Sequence, residues 1–180
     1  MHEPLKTIYT RRAVRKYKNQ AVDKKLIDEI IAAGRMAPSA MNRQPWKFYV
    51  LTDRKQIESL SAAIAKIAEK YFHLSHGMDS SRTTDMIFYH APVVIFITAP
   101  KDNEWAAIDI GMCSQNMMLA AKSLGLDTCP VGFAKYLAQT DKISQLALPA
   151  DEELKLAIII GFGDEEPAVH ERKKDNVRWL

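Results

Sequence analysis

Apolar positions along this chain change their spacing several times, and each change predicts an element. Leu26, Ile27, Ile30 and Ile31 recur at helical spacing behind Asp23, a good N-cap, and Gly34 is expected to close that helix. A shorter helix is expected from Pro4 to Thr10, with Pro4 in its first turn. Lys47 to Leu51 reads as a strand. Asp53 then caps a helix with Ile57, Leu60, Ile64 and Ile67 on one face. Val93 to Thr98 and Leu154 to Ile160 read as continuous apolar strands, covered on both sides. Asp127 to Phe133 gives a fourth strand running into Pro130-Val131-Gly132, and Thr140 is placed to cap a short amphipathic helix reaching Leu148. Tyr71 to Thr84 keeps no period and reads as a mobile loop or lid. Four strands with helices before, between and after them make an α+β domain.

One segment breaks the amphipathic rule. From Trp105 through Ala121 the chain reads helical, ended by Gly125, yet Asp109 is its one charged residue. Trp105, Ile108, Ile110, Met112, Met117, Met118 and Leu119 spread around the cylinder, so such a helix needs cover on every side. Either its own domain encloses it or a second subunit covers part of it, and the small number of other elements favours the second subunit. The tail from Asp164 is polar and basic until Val177-Arg178-Trp179-Leu180, an arm with an apolar tip suited to reaching another subunit.

Composition narrows the class. At 180 residues, with no repeat or linker, residues 1–180 form a single domain. The net charge of +3 implies no field for nucleic acid, and no aromatic residues interleave the N-terminal arginines as a base-stacking surface would need. Cys113 and Cys129 form no CxxC pair and read as free thiols, no signal peptide opens the chain, and no apolar run is long enough to span a bilayer. A soluble cytoplasmic protein is expected. His73 and His76 lack accompanying ligands, so no metal site is expected. Gly161-Phe162-Gly163 lacks the rest of a dinucleotide fingerprint, and no nucleophile elbow occurs.

Two blocks carry candidate chemistry. Arg11, Arg12 and Arg15, around Ala13, offer guanidinium forks suited to a phosphate; in a helix Arg11 and Arg15 share a face while Arg12 points elsewhere. Arg172 and Lys173 can close the same pocket from the tail. Alone, this block reads rather as a solvated basic patch. Ser39, Asn42 and Gln44 lie on a turn between Pro38 and Pro45, with Trp46 behind it as a core residue. Their amides donate and accept at once, although Asn42 also serves a plain turn. Pro130, Val131 and Gly132 bring bare backbone near something flat, or make a tight turn. Together these blocks suit a ligand with an anionic tail and a flat heteroaromatic head, a description that flavin mononucleotide (FMN) meets.

In order and spacing the chain resembles the nitroreductase family of FMN-dependent oxidoreductases over nearly its whole length. The resemblance rests on Arg11-Arg12-Ala13-Val14-Arg15, the block from Ala37 to Trp46, Asp109-Ile110-Gly111 with Gln115-Asn116, Gly125-Leu126, Cys129-Pro130-Val131-Gly132 and Gly161-Phe162-Gly163. It implies a nitroreductase-like fold, a central mostly antiparallel sheet flanked by helices, in an intertwined homodimer with FMN at the interface. It implies that Arg11, Arg12 and the Ala13 backbone hold the phosphate and ribityl chain, with Arg172 returning to the phosphate. Arg15 then lies near the pyrimidine N1 and O2. Ser39, Asn42 and Gln44 approach the flavin at least partly from the partner subunit, and Pro130, Val131 and Gly132 line the ring. Ala13 replaces a serine frequent in the family, removing one hydroxyl contact. The implied reaction is ping-pong hydride transfer from NADH or NADPH to nitroaromatic or quinone acceptors, with no catalytic side chain required. Within the same fold, dehalogenation, dehydrogenation, flavin destruction or mere flavin storage are the alternatives.

Overall fold

The computed structural model of the chain describes residues 2–72 and 85–180. Its elements are α1 (Glu3–Thr10), α2 (Lys24–Arg35), β1 (Lys47–Leu51), α3 (Arg54–Phe72), β2 (Val93–Pro100), α4 (Ala106–Ser123), β3 (Asp127–Val131) and β4 (Glu152–Gly161). The strands make one sheet in the order β1-β2-β4-β3, antiparallel at every step. The two apolar runs are its central strands, the second interrupted by Lys155, and the reason is direct: helices cover both faces, so most side chains on either face are apolar. Ile95, Ile97, Ile158 and Ile160 face a core shared with α2 and α4. Val94, Phe96, Ala157 and Ile159 face a second core with α3 and a 3-10 segment, Gly132–Gln139. Truncating a fully buried residue such as Ile159 to alanine should cost about 2–5 kcal/mol.

The sequence-predicted caps form. Asp23 Oδ1 accepts from the Lys25 N–H and Asp53 Oδ1 from the Gln56 N–H, both at 2.8 Å. Other expectations need correction. Gly34 does not close α2; it lies inside the helix, buried against α4, and Met36 is the cap. β3 ends at Val131, and Gly132 opens the 3-10 segment, whose Ala134 and Leu137 are buried at the three-residue spacing that geometry imposes. Thr140 caps no helix N–H: its hydroxyl donates to Leu137 O at 2.8 Å, and a second 3-10 segment, Asp141–Leu146, follows. α3 extends through Tyr71 and Phe72, so the first two residues of the expected lid are helical. The rest of that lid, with His73 and His76, lies outside the described residues.

Pro130 is tolerated because β3 is a sheet edge. Outside it runs the N-terminal segment: Ala13 bridges Thr128, and the Val14 N–H donates to Thr128 O at 3.0 Å. The same segment is tied to the end of β4, the Lys18 N–H donating to Phe162 O at 2.8 Å and the Asp164 N–H to Lys16 O at 2.9 Å. These bonds fix the arginine block beside β3.

α4 is buried through Ile110, Cys113, Met117 and Ala121, and Gly125 takes the left-handed φ of 76° that ends it. Its other face is open: Trp105, Ile108 and Met112 are 48%, 51% and 43% exposed, beside exposed Leu5, Ile8 and Tyr9 of α1. The chain's own domain therefore does not enclose this helix. Among the described residues, no helix is long and apolar enough to cross a membrane.

Candidate functional site

The arginine block is extended, not helical, and the alternation of an extended chain sorts its side chains. Val14 is buried, and Arg12 turns the same way, its Nη1 donating to Tyr9 O and Arg11 O at 2.8 Å each. Arg15 projects to the other side, into a cleft. The expected separation of Arg12 from Arg15 holds, but its cause is a two-residue period in place of a helical one. The Arg15 N–H donates to Glu165 Oε1 at 2.6 Å, and its guanidinium carbon lies 6.0 Å from the Tyr89 ring centroid.

Arg11 is half-buried, and its Nη1 has no hydrogen-bond partner. Burial lowers its pKa, and the Arg12 and Arg172 charges push the same way against the opposing Cys129. Arg172, exposed on the tail, is one of the charges that Arg11 feels within its own subunit. A partly buried cation with an idle donor, crowded by two other cations, is an arrangement that an oxyanion would complete.

The cleft beside Arg15 has a volume of about 480 Å³, within the usual range for a cofactor-sized site. Cys129, Pro130, Val131 and Gly132 line one side and Ile87 and Tyr89 another. Tyr89 and His90 hold left-handed φ angles of 54° and 55°. That strained turn is built on buried Asp85, whose carboxylate accepts from the N–H groups of Ile87, Phe88 and His90 and from the Ser61 hydroxyl. A Cβ placed on Gly132 meets no atom within 4 Å, so the bare backbone there faces open space. Burial raises the Cys129 thiol pKa despite the nearby Arg15 and Arg11.

Ser39, Asn42 and Gln44 form a separate structure. The Gln44 N–H donates to Ser39 Oγ at 2.9 Å, and Gln44 Nε2 donates to Asn42 Oδ1 at 3.1 Å. Met41, Asn42 and Gln44 all have positive φ (53°, 55° and 47°), a conformation that asparagine tolerates and the other two do not favour. The flanking Ala37 and Trp46 are buried in the α2–α4 core, as expected of Trp46. The cleft walls Cys129 and Val131 belong to the core on the opposite side of the sheet. None of the three turn residues lines the cleft, so one subunit does not unite the two blocks.

Sequence reading missed Tyr89, Lys135, Tyr136 and Lys155 as cleft residues. Lys155 did leave a signal: it is the one charge inside the apolar run of β4 from Leu154 to Ile160.

A helix-covered antiparallel sheet, with arginines tied beside an open cleft at its edge, defines an α+β protein built to hold an anionic, flat ligand. The chain belongs to the nitroreductase family, whose model matches residues 8–163. It is 30% identical to a 4-nitrobenzoate reductase of Pseudomonas putida, over 91% of this chain and 86% of that one. A nitroreductase with bound FMN from Bacteroides fragilis shares 26% identity and superposes with a TM-score of 0.82 over the full length of both chains. One from Desulfitobacterium hafniense, 24% identical, shares the fold at a TM-score of 0.86 over 100% of this chain and 99% of its own.

Proposed function

We propose that this protein is an FMN-dependent NAD(P)H oxidoreductase that reduces nitroaromatic, quinone or related acceptors by a ping-pong reaction. The observation that carries the reading is the idle, half-buried Nη1 of Arg11, set among cations beside an open, glycine-bordered cleft. Family membership and the FMN in the Bacteroides fragilis relative support the same choice of cofactor.

Arg11 holds the phosphate with the backbone of Ala13, and Arg172 adds its charge from the tail. Arg12, whose guanidinium is engaged by Tyr9 O and Arg11 O, contributes field more than direct contact. Pro130, Val131 and Gly132 offer backbone to the ring, and Arg15 supplies a fixed positive charge on its pyrimidine side. FMN held there would supply two-electron hydride chemistry between NADH or NADPH and the acceptor. For a nitro acceptor, the nitro nitrogen gains two electrons and two protons, one N–O bond breaks and the oxygen leaves as water. The hydride supplies the electrons and one proton equivalent; solvent supplies the other proton.

The protein acts as a homodimer. Trp105, Ile108 and Met112 with Leu5, Ile8 and Tyr9 form the face that a second copy covers, and Ser39, Asn42 and Gln44 reach the flavin from that copy. Its two buried free thiols suit the reducing cytoplasm. Purified protein loaded with FMN should bleach under anaerobic NADH or NADPH and recover its colour with a nitroarene. Colour that persists with both nicotinamides would refute the reading, and a monomer by ultracentrifugation would refute the assembly.

A further inference from the structure

The cleft beside Arg15 continues into a larger recess of about 740 Å³, and Lys135, Tyr136 and Lys155 line both. Lys155 is there because of an irregularity in the sheet. Ile97 pairs with Leu156 while Thr98 pairs with Leu154, so Lys155 is the unpaired residue of a β-bulge. A bulge releases a side chain from strict alternation and re-aims it, and such bulges recur beside active sites. Lys155 is mostly buried, with 23% of its side chain exposed, and pairs with Glu153. Lys135, on the 3-10 segment, holds its Nζ 5.3 Å from the Tyr136 ring centroid. Phe133 and Tyr136 stack at 5.9 Å with planes 29° apart, giving the junction an aromatic wall.

The charges around this junction are lopsided. Among the described residues lining the cleft, those that carry charge are Arg15, Lys135 and Lys155, all cationic. The recess adds Lys101, Glu152 and Glu153. Glu152 is held by Lys47, Thr98 and Tyr49, and Lys101 donates to Ala150 O at 2.6 Å. Glu153 partly offsets Lys155 and Arg15 is taken by the flavin's pyrimidine side, which leaves Lys135 as the excess.

We infer that this junction selects acceptors carrying an anionic substituent on a flat ring, with the ring against Phe133 and Tyr136 and the carboxylate toward Lys135 and Lys155. The inference rests on the reductase reading above and adds the substrate class. With Glu152 held by Lys47 and Glu153 by Lys155, the net cationic junction attracts such acceptors beside the cleft that would hold the flavin.

The test uses FMN-loaded protein at low salt and compares kcat/KM for 4-nitrobenzoate, neutral 4-nitrobenzamide and cationic 4-nitrobenzylamine. The expected order is anion, neutral, cation, with the anion ahead of the neutral acceptor by on the order of tenfold and the gap closing as salt rises. The double variant Lys135→Glu/Lys155→Glu should invert the order. Should it not fold, Lys135→Gln alone, at an exposed position, should narrow the anion-to-neutral ratio. Equal kcat/KM for the three acceptors would overturn the inference while leaving the reductase reading intact. A change confined to the NADPH-to-NADH ratio would also overturn it, giving the lysines to the reductant's phosphate. Failure to take up FMN, or to turn over any acceptor, would refute the reductase reading and this inference together.

Discussion

The backbone N–H of Ala40 donates to Asp109 Oδ1 at 3.0 Å, fastening the turn that carries Ser39, Asn42 and Gln44 to the first turn of α4. Asp109 is 2% exposed, and its Oδ2 has no hydrogen bond. This buried carboxylate ties to α4 a turn that contains three left-handed residues and is braced internally by the Gln44 N–H bond to Ser39 Oγ. Asp109→Ala should lower stability by about 1–3 kcal/mol in chemical denaturation. It should also speed hydrogen exchange at Ala40, while Asp109→Asn, which keeps an acceptor, should do so less. Unchanged exchange at Ala40 in the alanine variant would mean that the turn holds itself.

Arg11→Ala removes the idle guanidinium and its repulsion with Arg12 and Arg172. The flavin-free protein should keep its stability within about 0.5 kcal/mol. FMN affinity should fall by roughly tenfold or more, the loss of one charge-assisted contact. Fluorescence titration with FMN reads this directly, and an unchanged dissociation constant would remove Arg11 from the phosphate site.

Gly132→Val separates packing from binding. Because a Cβ at Gly132 meets open space, the flavin-free variant should melt within a few degrees of the parent. The added side chain would project into the cleft and should abolish FMN retention on gel filtration. Normal retention would show that the ring lies elsewhere.

At Gly34 the opposite holds. A Cβ there would stand 2.6 Å from Met117 Cγ and 3.1 Å from Cys113 Sγ, inside a packed core. Gly34→Ala gains helix propensity of about 1 kcal/mol, yet overpacking of this kind costs about 1–3 kcal/mol. Net destabilisation in urea is expected; a more stable variant would show that α4 can shift away from α2.

Glu152 links stability to pH. Burial opposes ionisation of its carboxyl, but hydrogen bonds from Lys47, Thr98 and Tyr49 outweigh that and hold the pKa below the ordinary value. A depressed folded-state pKa contributes stability above the unfolded-state pKa that is lost as pH falls through the folded value. Glu152→Gln should therefore lower the denaturation midpoint at neutral pH, and the gap should shrink in acid. A gap independent of pH would mean that packing, not charge, explains the effect.

Local spacing made much of this legible. Asp23 and Asp53 announce their helices because capping depends on neighbours two or three residues away. The central strands announce themselves because burial on both faces leaves mostly apolar residues. The conformation of the arginine block was not legible in the sequence, since its extended shape comes from Thr128, more than a hundred residues distant. Gly34 misled for a related cause: a glycine near a helix end resembles a cap unless Met117 is seen against it.

By itself, the sequence determined the α+β class, the two-sided sheet and the presence of a local block of arginines, because periodicity and residue chemistry act over short range. Tertiary structure alone decided that Arg11 keeps an idle donor, that the turn of Ser39, Asn42 and Gln44 lies across the sheet from the cleft, and that a bulge turns Lys155 into it. Those depend on strand order and register, which are set by contacts between segments far apart in the chain and so leave no local spacing to read.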